Sequence, residues 1–247
     1  MPDLPNPKID LHEQNHLLAA LPEEIQNRLY PNLELISMPL GAVLYESGDS
    51  LSYVYFPTSS IVSLLYVMEN GSSAEIAVVG NEGIVGIAVF MGGESTTNRA
   101  IVQSSGKAYR LTSRLLMEEF RQHTGFMLLM LRYTQALITQ MTQTAVCNRH
   151  HSIDQQLCRW LLLSLDRLQG NQLVMTQELI ANMLGVRREG VTNAAGKLDK
   201  LGVIEYARGK ITVLDRSKLE KMCCECYAVV KQETDRLLPW NDEINKN

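Results

Sequence analysis

The stretch ELIANMLGVRREGVTNAAGKL, residues 178–198, contains two amphipathic segments separated by a glycine. A tight corner between two helices needs a small residue where the helices cross and a glycine where the backbone turns left-handed. It also needs an apolar residue on the inner face of the second helix. Counted from Gln177 as position one, Ala181 is fifth, Gly185 is ninth and Val191 is fifteenth. This spacing predicts a helix-turn-helix.

The second predicted helix has polar and basic side chains on its outer face. A helix N-terminus is electropositive, and helix-turn-helix proteins insert that end of the second helix into the major groove. There Arg188 could bind guanine bidentately, Glu189 could accept from cytosine and Asn193 would favour adenine. Basic and hydroxyl side chains nearby would hold phosphates. The predicted DNA-binding residues are Thr176, which also caps the first helix, Gln177, Arg187, Arg188, Glu189, Thr192, Asn193, Lys197, Arg208 and Lys210.

A predicted β-hairpin, VIEYARGKITVLD at 203–215, follows directly and carries Arg208 and Lys210 at its tip. A hairpin in this position is typical of a wing that contacts the DNA backbone. Residues 171–220 hold eight basic and six acidic side chains, whereas the whole chain has a net charge of −4. An acidic protein does not wrap nucleic acid over most of its surface, so the predicted DNA contact must be local.

Towards the N-terminus, residues 33–111 have the pattern of a β domain. Short segments rich in β-branched and aromatic residues alternate with turn signals such as SGDS and ENGSS. The segments are LELISM, AVLYE, SYVYF, IVSLLYVM, AEIAVV and KAYRLT. Many short strands at this spacing predict a sandwich or barrel-like β structure. A short helical segment at 11–30 precedes it.

Between the two regions, residues 113–148 have helical periodicity. Apolar and small residues recur there in a 4-3 spacing, which is typical of a helix packed on a partner helix. An ordinary amphipathic helix packed on its own chain would show a similar pattern. We favour the paired helix, and therefore a homodimer. The predicted dimerisation residues are Met127, Leu131, Thr134, Ile138, Met141 and Ala145.

The C-terminal region contains two further predicted helices. Residues 152–168 begin with Ser152 and Gln155, which have the spacing of a capping box. A last helix is predicted at about 216–237.

Taken together, LGAVLYESGDS…YVYF, GNEGIVGIAVF and LGVRREGVTNAAGKLDKLGVI…RGKITVLDRSKLE resemble the Crp/Fnr superfamily of bacterial transcription regulators. The resemblance implies an α+β fold with an N-terminal double-stranded β-helix, the cyclic-nucleotide-binding-like β-roll. A long dimerisation helix and a C-terminal winged helix-turn-helix would follow. The implied domains are 1–124, 125–150 and 151–247. The family also implies a homodimer on a two-fold symmetric operator in double-stranded DNA, with half-sites about one helical turn apart, and RNA polymerase as a partner of activators.

The segment that resembles the family's ligand site departs from the cyclic-AMP pattern. Cyclic-AMP-binding relatives have Gly-Glu-Leu where this chain has Gly86, Ile87 and Ala88, so the carboxylate that holds the ribose is missing. Arg99 is the one residue that could match the phosphate-binding arginine, and it is followed by alanine rather than serine. We therefore expect an effector other than cyclic AMP. No cysteine precedes Cys147, so the N-terminal iron–sulfur cluster of oxygen-sensing relatives is not expected.

The five cysteines allow two interpretations. Cys147 and His151 are four residues apart at the end of the long helix, and Cys223, Cys224 and Cys226 lie in the last helical region. Buried free thiols are common, and on this interpretation the chain holds no metal or cofactor. If the two segments meet, Cys147, His151, Cys224 and Cys226 could bind zinc or a redox cofactor, and the regulator would respond to thiols or metal.

An enzyme is the rival class of function, and the sequence disfavours it. All five histidines, at 12, 16, 123, 150 and 151, lie outside residues 33–111, whereas a metal-dependent cupin needs them in its strands. Gly-x-Ser-x-Gly, Walker and His-Glu-x-x-His motifs are absent from the sequence. The N-terminus lacks the apolar core of a signal peptide and no run suits a membrane helix, so we expect a cytoplasmic protein with no membrane partner.

Overall fold

The computed structural model describes residues 14–168, 170–207 and 209–238. Its N-terminal half is a β-roll of two antiparallel sheets with strand orders β1-β7-β3 and β2-β6-β4-β5. Apolar side chains of both sheets, among them Phe56, Leu64 and Leu111, are at most 3 % exposed and form the core between them. The strands are β1 Glu34–Met38, β2 Val43–Tyr45, β3 Tyr53–Pro57, β4 Ile61–Val67, β5 Ser73–Val79, β6 Arg99–Ser104 and β7 Gly106–Thr112. The predicted β-roll is confirmed, with β6 as a strand that the sequence pattern did not indicate.

From residue 14 onwards, where the structure describes the chain, two short helices precede the roll, whereas a single helical segment was expected at 11–30. They are α1 His16–Ala19 and α2 Glu23–Leu29, followed by a 3-10 turn at Tyr30–Asn32. The Asn15 side chain caps α1 by accepting from Leu18 N. It also donates to the carbonyls of Pro57 and Gly83 at 2.8 and 2.9 Å, which ties this segment to the roll.

The helical region after the roll is divided into α3, Ser113–Gln122, and the long α4, Thr124–His150. Extended backbone at His123 separates them, with φ −126° and ψ 104°. One face of α4 packs on the roll, where Tyr133 and Leu137 are buried. Gln140 lies on the same face, and its amide accepts from Val78 N at 2.7 Å and donates to Val78 O at 3.1 Å. The long helix is therefore fixed to its own β-roll along part of its length.

This packing corrects the predicted set of dimerisation residues. Leu131, Ile138 and Ala145 are exposed as expected, but Thr134 is only 4 % exposed. Met127 and Met141 are half-buried, and Met141 packs against the core of the roll. Thr134 and, in part, Met141 are covered because the roll and the last described helix, Glu225–Leu237, pack against α4. The exposed stripe runs instead through Leu128, Leu131, Gln135, Ile138, Thr142, Ala145 and Val146.

The C-terminal domain combines helices with a small antiparallel sheet of order β8-β10-β9. The predicted last helix is two helices, because the backbone is extended at both Cys223 and Cys224. Asp215 caps the first of them by accepting from Lys218 N. The elements are α5 Ile153–Leu165, β8 Gln172–Val174, α6 Gln177–Leu184, α7 Arg188–Lys200, β9 Ile204–Ala207, β10 Lys210–Val213, α8 Arg216–Met222 and α9 Glu225–Leu237.

The β-roll and the C-terminal domain share an apolar core. Ile61, Leu65 and Val78 of the roll belong to the same buried cluster as Trp160 and Leu161 of α5. Within the described ranges, no helix combines the length and the apolar character that crossing a membrane requires.

Candidate nucleic-acid interface

The helix-turn-helix corner between α6 and α7 has the predicted residues at the predicted positions. Thr176 caps α6, its hydroxyl accepting from Leu179 N at 3.3 Å. Gly185 ends α6 in the left-handed conformation, with φ 65° and ψ 32°. Ala181 and Val191 are 4 % and 0 % exposed where the two helices meet. The corner is therefore a small, closed core that holds α7 in a defined direction.

The outer face of α7 is exposed and polar along its length. Its inner face is apolar and buried, from Val191 to Leu198. Arg187 is the N-cap, in extended conformation, and so lies just before the helix rather than inside it. The Thr192 hydroxyl lies 2.7 Å from Gln177 Oε1, which links α7 to the start of α6. The exposed residues of this face are Arg188, Glu189, Thr192, Asn193 and Lys197.

Lys197 has a partner within the chain. Its ammonium group forms an ion pair with the Asp154 carboxylate at the start of α5. The hydrogen bond from Lys197 to Asp154 raises the pKa of the lysine, so it stays charged. A phosphate that binds Lys197 would therefore have to share this group with Asp154.

The wing lies beside the start of α6. β9 and β10 form the predicted hairpin, with Tyr206 opposite Ile211 in the register. Gly209, in left-handed conformation, accepts from Met175 N at 2.7 Å, which anchors the hairpin next to the residue that caps α6. Lys210 is exposed. Arg208, the other predicted tip residue, lies outside the described residues.

The expected ligand segment is a tight turn packed under α4. Gly86 has φ 106° and leads into a 3-10 turn at Ile87–Val89. Arg99, the candidate effector residue, is paired with Glu46, the Nε to Oε2 distance being 2.7 Å. Nearby, a Cβ on Gly83 would lie 2.2 Å from the Tyr133 hydroxyl, so the α4 side chain fills the space against this turn.

A buried polar network between the roll and α5 was missed by the sequence analysis. The Ser63 hydroxyl lies 2.6 Å from Glu75 Oε2 and 2.7 Å from Gln103 Oε1. The Gln103 amide donates to Ser164 Oγ of α5 at 3.2 Å. Burial raises the pKa of Glu75 to about 7. The sequence signal that could have revealed this network is Glu75, the single acidic residue within the apolar segment AEIAVV. An acidic side chain in a buried strand is rarely without polar partners.

A buried ion pair lies in the same junction. Arg167, just after α5, contacts Glu82 of the roll with an Nε to Oε1 distance of 2.7 Å. The two side chains are 7 % and 14 % exposed. Arg167 also donates to the carbonyl of Leu163 at 2.6 Å.

The two cysteine-containing segments meet at the C-terminal end of α4. Cys147 Sγ lies 3.6 Å from Cys224 Sγ, and Cys226 Sγ lies 3.5 Å from His151 Nδ1. These four side chains, which we call the Cys3His cluster, offer ligand atoms that all lie within 4.8 Å of one another. Hydrogen bonds from Cys147 and Cys223 lower the pKa of Cys224. Cys223 itself is not a member of the cluster.

Comparisons with known proteins agree with this architecture. Residues 155–222 match the model of the Crp-like helix-turn-helix domain, and residues 35–123 match that of the cyclic nucleotide-binding domain. The structure of FixK2 from Bradyrhizobium japonicum is 15 % identical in sequence, with 78 % of this chain and 98 % of that chain covered and a TM-score of 0.66. A transcriptional regulator of the CRP/FNR family from Thermus thermophilus is 21 % identical over 76 % of this chain and 97 % of that chain, with a TM-score of 0.61. The chain belongs to the Crp/Fnr family and is a DNA-binding transcription regulator.

Proposed function

We propose that this regulator acts as a homodimer that binds a two-fold symmetric DNA site. The observation that carries the proposal is the outer face of α7, where Arg188, Glu189 and Asn193 are all exposed on a helix held by a buried corner. These side chains contact base edges in the major groove, Arg188 at guanine and Asn193 at adenine. The preferred site contains those bases in each half.

Backbone contacts surround this face and set the position of α7. Arg187, Thr192 and Lys197 bind phosphates along the groove, while the wing residues Arg208 and Lys210 bind the adjacent backbone. The N-terminus of α6, with Thr176 and Gln177, contacts the phosphates on the other side. Such contacts contribute affinity without distinguishing sequences.

The dimer forms through the exposed stripe of α4. Leu128, Leu131, Ile138 and Val146 are 46, 46, 51 and 42 % exposed, which is unusual for apolar side chains so close together on one helix. With the exposed residues Gln135, Thr142 and Ala145 between them, positions 128–145 of the stripe recur at intervals of three and four residues, the spacing of a coiled-coil contact. Pairing two α4 helices buries these side chains and places two copies of α7 on the same side of the dimer.

The effector is a ligand or signal other than cyclic AMP. This part of the proposal is supported by Ile87 at the position of the ribose-binding carboxylate, and by the ion pair of Arg99 with Glu46. The protein performs no catalysis and works in the cytoplasm, where the DNA is. RNA polymerase is its further partner at promoters that it activates.

Selection of bound sequences from random double-stranded DNA tests the proposal. We expect a palindrome whose half-sites are about one helical turn apart. Ile138→Glu places a charge in the exposed stripe and should give a monomer in sedimentation, with loss of binding to the selected palindrome. Leu214→Glu is the matched control, because Leu214 is 57 % exposed but lies in the C-terminal domain. An unchanged sedimentation coefficient for Ile138→Glu, or selected sites without symmetry, would contradict the homodimer.

A further inference from the structure

The ligand atoms of the Cys3His cluster have the spacing of a tetrahedron around one ion. With Zn–S bonds of about 2.3 Å and Zn–N bonds of about 2.0 Å, tetrahedral geometry requires about 3.8 Å between two sulfurs and about 3.5 Å between sulfur and nitrogen. The Cys147–Cys224 distance is 3.6 Å and the Cys226–His151 distance is 3.5 Å. All four atoms lie within 4.8 Å of one another. The side chains thus need only small movements to surround one ion.

The histidine is oriented as metal-binding histidines usually are. Nδ1 of His151 faces Cys226, while Nε2 lies 3.4 Å from the Glu225 carboxylate. In protein metal sites, the ring nitrogen that does not bind metal typically donates to a carboxylate or carbonyl, which fixes the tautomer. The backbone carbonyl of the same residue accepts from Gln156 Nε2 at 2.9 Å, which holds the residue at the end of α4.

The surroundings also suit a buried site of negative charge. Cys147, Cys224 and Cys226 are 0, 6 and 1 % exposed. Three thiolates and a neutral imidazole around a divalent ion carry a net charge of −1. The N-terminus of α9, where Cys224 is the N-cap, favours negative charge. The guanidinium of Arg159, which is 3 % exposed and donates to Thr144, adds a positive charge nearby.

Other uses of these residues fit less well. A disulfide needs two sulfurs only, and it would leave His151 and Cys226 without a role. A four-iron cluster binds each ligand to a different iron, which requires ligand atoms further apart than those of a single ion. Two segments separated by more than seventy residues converge here on four donors of the type that zinc prefers.

We propose that Cys147, His151, Cys224 and Cys226 bind one divalent metal ion of the zinc class in tetrahedral geometry. Binding forms three metal–sulfur bonds and one metal–nitrogen bond, and releases the protons of those thiols that are protonated beforehand. The ion joins the C-terminal end of α4 to the N-terminus of α9. Since α4 ends where the C-terminal domain begins, the metal restrains the connection between the dimer helix and the DNA-binding domain.

Metal binding can be measured without reference to DNA. The full chain is purified reduced, under anaerobic conditions and without a metal-affinity tag, and its zinc content is determined by mass spectrometry. The metal-free protein is then titrated with Co²⁺. We expect one equivalent of either ion per chain, intense visible bands of tetrahedral Co²⁺, a thiolate-to-cobalt charge-transfer band, and displacement of Co²⁺ by Zn²⁺.

A buried cysteine outside the Cys3His cluster provides a matched control for loss of metal binding. Cys224→Ser and His151→Ala should weaken Co²⁺ binding at least 10-fold, and Glu225→Gln about 10-fold through the second ring nitrogen. Cys158→Ser, buried in α5, should leave both stoichiometry and spectrum unchanged. Because the wild-type stoichiometry and spectrum require no variant, the test holds even if one substitution fails to fold.

Three results would overturn the proposal. The first is a reduced wild-type protein that takes up neither ion at one equivalent. The second is a Co²⁺ spectrum without thiolate charge transfer. The third is equal loss of binding in Cys158→Ser and Cys224→Ser. Since DNA binding enters none of these measurements, failure of the metal site leaves the proposed DNA site unaffected.

Discussion

The DNA-facing surface that we propose, the exposed face of α7 with Arg188, Glu189 and Asn193, and the junction between the β-roll and α5 are built in opposite ways. The DNA-facing side chains come from one short stretch of chain and are exposed, with a closed apolar core behind them. The junction side chains come from strands and helices far apart in sequence. Glu75, Ser63, Gln103, Arg167 and Glu82 are buried or nearly so.

Because of this difference, the residues that would determine DNA specificity are not those that determine stability. An exposed side chain on α7 can change without leaving a buried group unpaired, so the choice of DNA site can vary while the fold is kept. In the junction, the polar groups depend on one another, and Gln103 and Glu82 have partners in the C-terminal domain. A buried group that loses its partner is not compensated by water. The junction therefore determines how firmly the DNA-binding domain is held on the roll.

The largest expected effect is that of breaking the buried ion pair. Arg167→Ala leaves Glu82 buried without its partner and should lower the free energy of unfolding by about 3–5 kcal/mol. Arg99→Ala is the matched control, since the Arg99–Glu46 pair is at the surface and should contribute about 1 kcal/mol or less. Urea unfolding of the two variants measures the difference. Equal losses of unfolding free energy in the two variants would show that breaking the buried ion pair costs no more than breaking the surface pair.

The next effect is a pH dependence that comes from Glu75. Its pKa is raised from 4.5 to about 7 by burial, although the hydrogen bond from Ser63 and the charges of Arg159 and Arg167 oppose the shift. The folded state thus binds more protons than the unfolded state between these values, so the stability contributed by Glu75 falls as pH rises from about 4.5 to 7. The upper limit of the change is about 3 kcal/mol.

The hydrogen bonds around Ser63 also change with the protonation of Glu75. One hydroxyl proton cannot be donated to both Glu75 and Gln103, whereas a protonated Glu75 can donate to Ser63, which then donates to Gln103. Glu75→Gln keeps the neutral form at all pH values. The unfolding free energy of wild type minus that of the variant should decrease between pH 5 and 7 and level off above. A difference that stays constant over this range would contradict the assignment.

The smallest effect on stability is expected at the DNA-facing surface. Arg188→Ala should leave the free energy of unfolding within about 0.5 kcal/mol of wild type, because Arg188 is exposed. It should weaken binding to the selected DNA by about 1–3 kcal/mol and relax preference at one base pair. Lys197→Ala should instead weaken specific and random DNA alike. Equal loss on both DNAs for Arg188→Ala would contradict its role at a base.

The corner between α6 and α7 was predictable because every feature of it is local. The Thr176 side chain caps α6 by accepting from the backbone amide of Leu179, three residues further on. Gly185 takes a left-handed backbone conformation that residues with a side chain avoid. The periodicity of the strands and of α4 likewise depends on near neighbours. The predicted dimer stripe needs correction at Thr134, which is buried, because a heptad pattern does not show which side of α4 the rest of the chain covers.

The amino-acid sequence alone determined most of the succession of elements, apart from β6 and the breaks within the helical segments, together with the helix-turn-helix, its wing and the polar residues on α7. It could do so because hydrophobic period, caps and turn residues act over a few positions. Only the tertiary structure decided which face of α4 remains exposed, which groups surround Glu75, and that Cys147 and Cys224 lie 3.6 Å apart. These arrangements bring together residues distant in the chain. Their formation depends on how whole elements pack, and this packing cannot be predicted from patterns of neighbouring residues.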